Sequence, residues 1–166
     1  MDSSFRSLLY WLRSGPKGGF RRKIAAWHLK RFRFNSTVFY TVQNTEDVLR
    51  LRGHGTPWPT DPTRAHLGGG VYAWGNRADA QRYMNNLSRM GVTGLKIIPF
   101  RVSHQSLRSF RRLDVDALAN PEAWMARYSL LWGGTPEHSF EYIQRGTAIG
   151  VEHFFDQSIF RHLRFK

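Results

Sequence analysis

Acidic side chains are scarce in this chain, with 12 Asp plus Glu against 25 Lys plus Arg, so each carboxylate carries weight. Glu141 stands out because Phe140 and Tyr142 flank it within SFEYIQR, Ser139 to Arg145. A carboxylate inside an otherwise apolar, aromatic segment is a candidate functional group. A second set lies upstream in GGGVYAWGNRADAQRY, Gly68 to Tyr83. There Tyr72 and Tyr83 follow three glycines, and glycine lets a backbone approach a ligand closely because no Cβ intervenes. Two rings beside such a backbone can hold a flat, phosphate-bearing ligand. The same residues also read as a loop with two core tyrosines, and Glu141 as a solvent-facing residue of an edge strand.

The local pattern predicts the elements that must position these groups. Val71 to Trp74 is a short apolar run closed by Gly75 and Asn76, a strand-and-turn signature. Asn76 can cap a following helix on which Ala80, Tyr83, Met84 and Leu87 recur at helical spacing. Upstream, Val38 to Val42 (VFYTV) reads as a strand, and Thr45 as the cap of a helix over TEDVLRLR. Residues 54–67 hold three prolines and read as a loop covering the glycine-rich strand. Leu95 to Val102 (LKIIPFRV) is a strand in which Pro99 marks an edge or a bulge. Pro121 can start a helix carrying Trp124, Met125, Tyr128 and Leu131 on one face, broken at Gly133-Gly134-Thr135-Pro136. SFEYIQR is a strand, and Val151 to Phe165 is helix, strand or both. Short strands mixed with helices, without regular βαβ alternation, indicate an α+β sandwich. Residues 1–34 form a separate basic stretch, with amphipathic helices around Phe5, Leu8, Leu9 and Leu12 and around Phe20, Ile24 and Trp27. Such an appendage suits a nucleic acid, a membrane surface, a partner protein or the main domain's own flank.

Composition narrows the chemistry. With no cysteine, disulfides, thiolate catalysis and cysteine metal sites are excluded. Seven histidines show no HxxxH pair, so no metal is expected. No serine sits in a nucleophile elbow, and Gly68-Gly69-Gly70 lacks the lysine of a P-loop. Asp114 and Asp116 are too close in sequence for a catalytic dyad. No apolar run reaches the ~20 residues of a membrane span. A net charge of +13, mostly arginine, favours polyanion partners, nucleic acid first.

Read together, the segments resemble the ADP-ribosyltransferase superfamily of the diphtheria-toxin and poly(ADP-ribose) polymerase class. GGGVYAWGNRADAQRY is similar to its second motif, a Gly-x-Gly-aliphatic-Tyr strand followed eleven residues later by a tyrosine on a helix, matched by Tyr72 and Tyr83. FEYIQRGTAI, Phe140 to Ile149, is similar to its third motif, which places the catalytic glutamate at Glu141. The first motif puts a histidine on the opening strand, where this chain offers Tyr40 and Thr41; His54-Gly55-Thr56 has the letters but falls after the helix. The resemblance covers residues 37–150 and implies an ADP-ribosyltransferase-like split β-sandwich with flanking helices over residues 35–166. It implies NAD as co-substrate and no metal. It also implies that Tyr72 and Tyr83 enclose the nicotinamide, that Gly69 and Gly70 bond its amide, and that Tyr40 or Thr41 holds the adenosine ribose. Ala80 stands where the polymerases often carry a serine that contacts that amide.

The expected activity is mono-ADP-ribosylation of a macromolecule by a toxin or effector of bacterial or phage origin, acting in a cytoplasm and countered by an immunity or antitoxin protein. The positive charge favours RNA or other nucleic acid as acceptor over protein. Glu137 and Glu141 are four apart, unlike the two glutamates separated by one residue in arginine-specific protein transferases. A NAD glycohydrolase, a non-catalytic nucleic-acid-binding member of the fold, and a basic surface-binding protein with no NAD site are the alternatives.

Overall fold

Side-chain alternation along nine-residue β1, Ser36–Asn44, divides the molecule into two layers. The computed structural model describes residues 35–48 and 66–165. The expected appendage over residues 1–34, the remainder of the helix after β1 and most of the proline-rich loop lie outside these. The described residues form a mixed α+β arrangement around one sheet. Its strands after β1 are β2 Gly70–Trp74, β3 Leu95–Ser103, β4 Arg112–Asp114, β5 Tyr142–Gly146, β6 Val151–Asp156 and β7 Arg164–Phe165. The helices are α1 Arg77–Arg89, α2 His104–Ser109 and α3 Pro121–Tyr128, with 3-10 turns at Val115–Ala117, Leu130–Trp132 and Gln157–His162. The spatial order is β4-β5-β6-β2-β1-β3-β7; β4 and β5 pair in parallel and the remaining pairs are antiparallel.

Phe39, Val71, Ala73, Phe100, Val102, Tyr142 and Phe155 point to one face, where Phe110, Ile159, Phe160 and Leu163 complete the larger core cluster. On the other face Ile143 and Phe154 meet Leu67, Val115 and Met125, with Tyr72 and Trp124 packed against them. Helix α1 covers the β1–β3 side of that second face, where Tyr83 lies against Trp74 of β2. The second face is thus roofed by α1 at one end and α3 at the other, with the β2–β6 pair between.

Local chemistry accounts for the helix starts. The Asn76 side chain accepts from Asp79 N at 2.9 Å and starts α1. Asn120 accepts from Ala123 N at 2.9 Å in front of Pro121, which fits the first helical position because it needs no N–H there. After β1 the cap is Asn44, which accepts from Asp47 N at 2.8 Å. The hydroxyl of Thr45 instead donates to Gly94 O.

Two boundaries differ from the sequence expectation, and the tail, left open there, is decided. Strand β5 begins at Tyr142, leaving Glu141 in the bend before it. Helix α3 ends at Tyr128, so Leu131 falls in a 3-10 turn and is 70% exposed. The tail resolves into strand β6, a 3-10 turn and the short β7.

Candidate active site

Two buried carboxylates lie at the second face among the described residues: Asp79 on α1, bonded to Asn76 and Arg82, and Glu152 at the start of β6. Glu152 pairs across the sheet with Arg145 on one side and Trp74 on the other, and Trp74 pairs with Tyr40. The next row is Ile143, Phe154 and Tyr72. Because alternate residues of a strand share a face, these registers gather Arg145, Glu152, Trp74, Tyr40 and Tyr72 on one surface, and α1 lays Tyr83 onto Trp74 with ring centroids 4.3 Å apart.

Two basic side chains hold the Glu152 carboxylate. Arg145 Nε donates to Glu152 Oε2 at 2.8 Å, and His66 Nε2 lies 3.1 Å from the same oxygen. Burial pushes this carboxyl up, but the hydrogen bond and charge of His66, with the charge and hydrogen bond of Arg145, outweigh burial and hold it below its ordinary value. Glu152 is therefore ionised at neutral pH. Both partners use Oε2; Oε1 has no partner among the described residues and is not fully enclosed. Beside it, the indole N–H of Trp74 is buried with no acceptor among the described residues. The site thus offers one unused acceptor and one unused donor.

The tyrosines face this carboxylate. Burial raises the pKa of Tyr72 and of Tyr83, and the Glu152 charge raises both further. Both phenols are neutral at physiological pH. The Tyr72 hydroxyl accepts from Leu67 N at 2.8 Å and donates to Gly68 O at 3.2 Å, which pins its ring. That ring lies beside Phe154 and His66, with centroids 5.1 and 4.8 Å away and both pairs tilted.

The remaining predicted residues fall as follows. Gly70 is needed for packing, since a Cβ there would strike the Phe155 carbonyl and the Phe154 ring. The Gly69 carbonyl accepts from Gln157 N. Tyr40 lies on the Glu152 face and lines a cleft of about 260 Å³ with Arg77, Pro99 and Arg101. Thr41 has the opposite parity and is fully buried with Phe39 behind the sheet, where Gln43 donates to it. Glu141 lies two strands from β2, roughly 10 Å across the sheet, and its carboxylate turns to the β4 side. There it accepts from Arg111 N at 2.9 Å and has the Arg111 guanidinium at 3.8 Å.

Glu152, His66, Arg145, Trp74, Arg77 and Arg101 were not singled out from the sequence. The available signal was VEHFFD, Val151 to Asp156, in which a glutamate opens an apolar, aromatic strand much as Glu141 does in FEYIQR. Among the described residues no group of three or more His, Asp or Glu is arranged to hold a metal ion. No protein-family model matches the chain, and comparison with curated proteins gives no match.

Proposed function

We propose that this chain is a mono-ADP-ribosyltransferase that moves ADP-ribose from NAD to a macromolecular acceptor, with nucleic acid and RNA in particular favoured, and that it acts as a toxin or effector. The finer fold reading, an ADP-ribosyltransferase-like split β-sandwich, goes with it. The observation that carries the proposal is the convergence of Tyr72, Tyr83 and an ionised, buried Glu152 on one face.

In the reaction the bond between nicotinamide and ribose C1′ breaks, and nicotinamide leaves with the electron pair, which neutralises its ring. Positive charge then develops on the ribose. A preformed carboxylate beside that ring stabilises it without solvent reorganisation, and an acceptor oxygen or nitrogen bonds to C1′ and releases a proton. Glu152 fits the charge-stabilising role because Arg145 and His66 fix its Oε2 and leave Oε1 for the ribose hydroxyl. Tyr72 and Tyr83 supply rings for the nicotinamide. Arg77 and Arg101, flanking Tyr40, suit the diphosphate and leave the Tyr40 hydroxyl for the far ribose. Glu152 thus takes the role that the resemblance gave to Glu141.

Incubation of the wild-type chain and Glu152→Gln with labelled NAD and a cell extract tests this. The wild type should consume NAD and deposit label that ribonuclease removes, and Glu152→Gln should be slower by about 100- to 1,000-fold. Label removed by protease would move the acceptor to protein, and free ADP-ribose alone would make the enzyme a glycohydrolase. A wild-type chain that consumes no NAD would overturn the enzymatic reading.

A further inference from the structure

A second cleft, of about 770 Å³, opens beside α3 and the segment 137–140. Trp124, Tyr128, His138 and Phe140 meet there; Trp124 lies 5.2 Å from Tyr128, 6.1 Å from His138 and 6.4 Å from Phe140 between ring centroids. All four are only partly buried. Rings gathered to fill a core would be enclosed, whereas these line an opening of the size that small ligands occupy. The Arg127 guanidinium stands over the Tyr128 ring, 5.2 Å from its centroid, and Glu137 joins the same lining.

The cleft adjoins the Glu152 site. His138 Nε2 donates to Leu67 O at 2.8 Å, while Leu67 N donates to the Tyr72 hydroxyl. The Phe154 ring touches Tyr72 on one side and His138 on the other, at 5.1 and 5.7 Å. Two rings, His138 and Phe154, therefore link the cleft to the tyrosine facing Glu152.

We infer that this cleft seats a base of single-stranded nucleic acid. Open aromatic faces accept any base by stacking. Arg127 supplies a cation for the neighbouring phosphate, and the exposed Glu137 carboxylate can accept from an exocyclic amino group. The net charge of +13 draws a polyanion in preference to an apolar or basic peptide. Calling the base an acceptor rests on the transferase reading; the binding itself does not.

The test is fluorescence anisotropy of the full chain with a labelled single-stranded RNA of about 12 nucleotides, without NAD. Tyr128→Ala should weaken binding roughly 5- to 100-fold, and Tyr128→Phe, which keeps the ring, should restore it. Arg127→Gln should lower affinity more than Arg89→Gln, a charge control at the far end of α1, and reduce the salt slope by about one. Trp124→Ala should behave like Tyr128→Ala wherever its thermal melt matches the wild type. Equal affinities for wild type, Tyr128→Ala and Arg127→Gln would overturn the inference. So would competition by a mononucleotide as strong as by the oligonucleotide, which points to a free nucleotide, or loss of acidic-peptide binding in the same variants, which points to protein. Failure to consume NAD would leave these results standing, and equal affinities would leave NAD consumption standing, so the two readings fail separately.

Discussion

Strands β5 and β6 each have a glutamate at their leading end, and the two carboxylates live in different electrostatic worlds. Glu141 precedes β5 at the outer part of the sheet, with a quarter of its side chain exposed and its bond made to the Arg111 amide. Glu152 opens β6, flanked by β5 and β2, with 9% of its side chain exposed and Arg145 and His66 both on one oxygen. The field of Glu141 reaches His162, whereas that of Glu152 reaches Tyr72 and Tyr83. Position within the sheet order, rather than the flanking residues, decides which carboxylate faces the tyrosines.

The contrast is broken most directly by paired variants. Beside the 100- to 1,000-fold loss expected of Glu152→Gln, Glu141→Gln should keep NAD consumption within about three-fold of wild type, because a single hydrogen bond to a backbone amide away from the tyrosines is lost. A larger loss in Glu141→Gln than in Glu152→Gln would reverse the assignment. Stability should divide the same way. Glu152→Ala leaves the partly buried Arg145 without its partner and should cost up to about 3 kcal/mol, against about 1 kcal/mol for Glu141→Ala, read from urea midpoints at neutral pH.

Next to Glu152, His153 points behind the sheet, where its Nδ1 lies 2.7 Å from the Tyr142 hydroxyl. Burial pushes its pKa down from 6.5 to about 4, against the opposing pull of Glu152. The unfolded chain therefore takes up this proton at a higher pH than the folded one. Stability should fall as pH drops from 6.5 to 4, by up to about 3 kcal/mol. His153→Gln should flatten that slope. The contribution of Glu152 has the same sign at lower pH: it is present above the ordinary carboxylate pKa and lost as pH falls through its lowered folded value. The smallest effect belongs to the β5 end. Burial and the charges of Arg161 and Arg164 hold the His162 pKa below its ordinary value and the charge of Glu141 opposes them, so Glu141→Gln should move the His162 imidazole titration to still lower pH in NMR, and Glu152→Gln should not.

What was legible locally is what depends on local chemistry. The unit from Gly68 to Tyr83 reads directly as strand, Asn76 cap and helix because each step is decided within a few residues. The proline start of α3 and the strands β1 and β3 are legible for the same reason. Glu152 was not, since its environment is assembled from His66, 86 positions upstream, and from the insertion of β6 between β5 and β2. Periodicity does not encode that pairing. The choice between Tyr40 and Thr41 turned on strand parity, a one-residue matter that only the register with Trp74 decides. The strand boundary at Tyr142 likewise moved Glu141 from a ladder into a bend.

The sheet's two ends bear on self-association. Its outermost strands are only three and two residues long, β4 and β7, and each begins with an exposed arginine, Arg112 and Arg164. Among the described strands, β3 is paired on its outer side only at Phe100 and Arg101. The stretch before that presents exposed Lys96 and Pro99. Short, charged and proline-marked margins are poor templates for another copy's backbone. This wide sheet therefore offers little purchase for cross-β growth, even where copies crowd together on a shared polyanion.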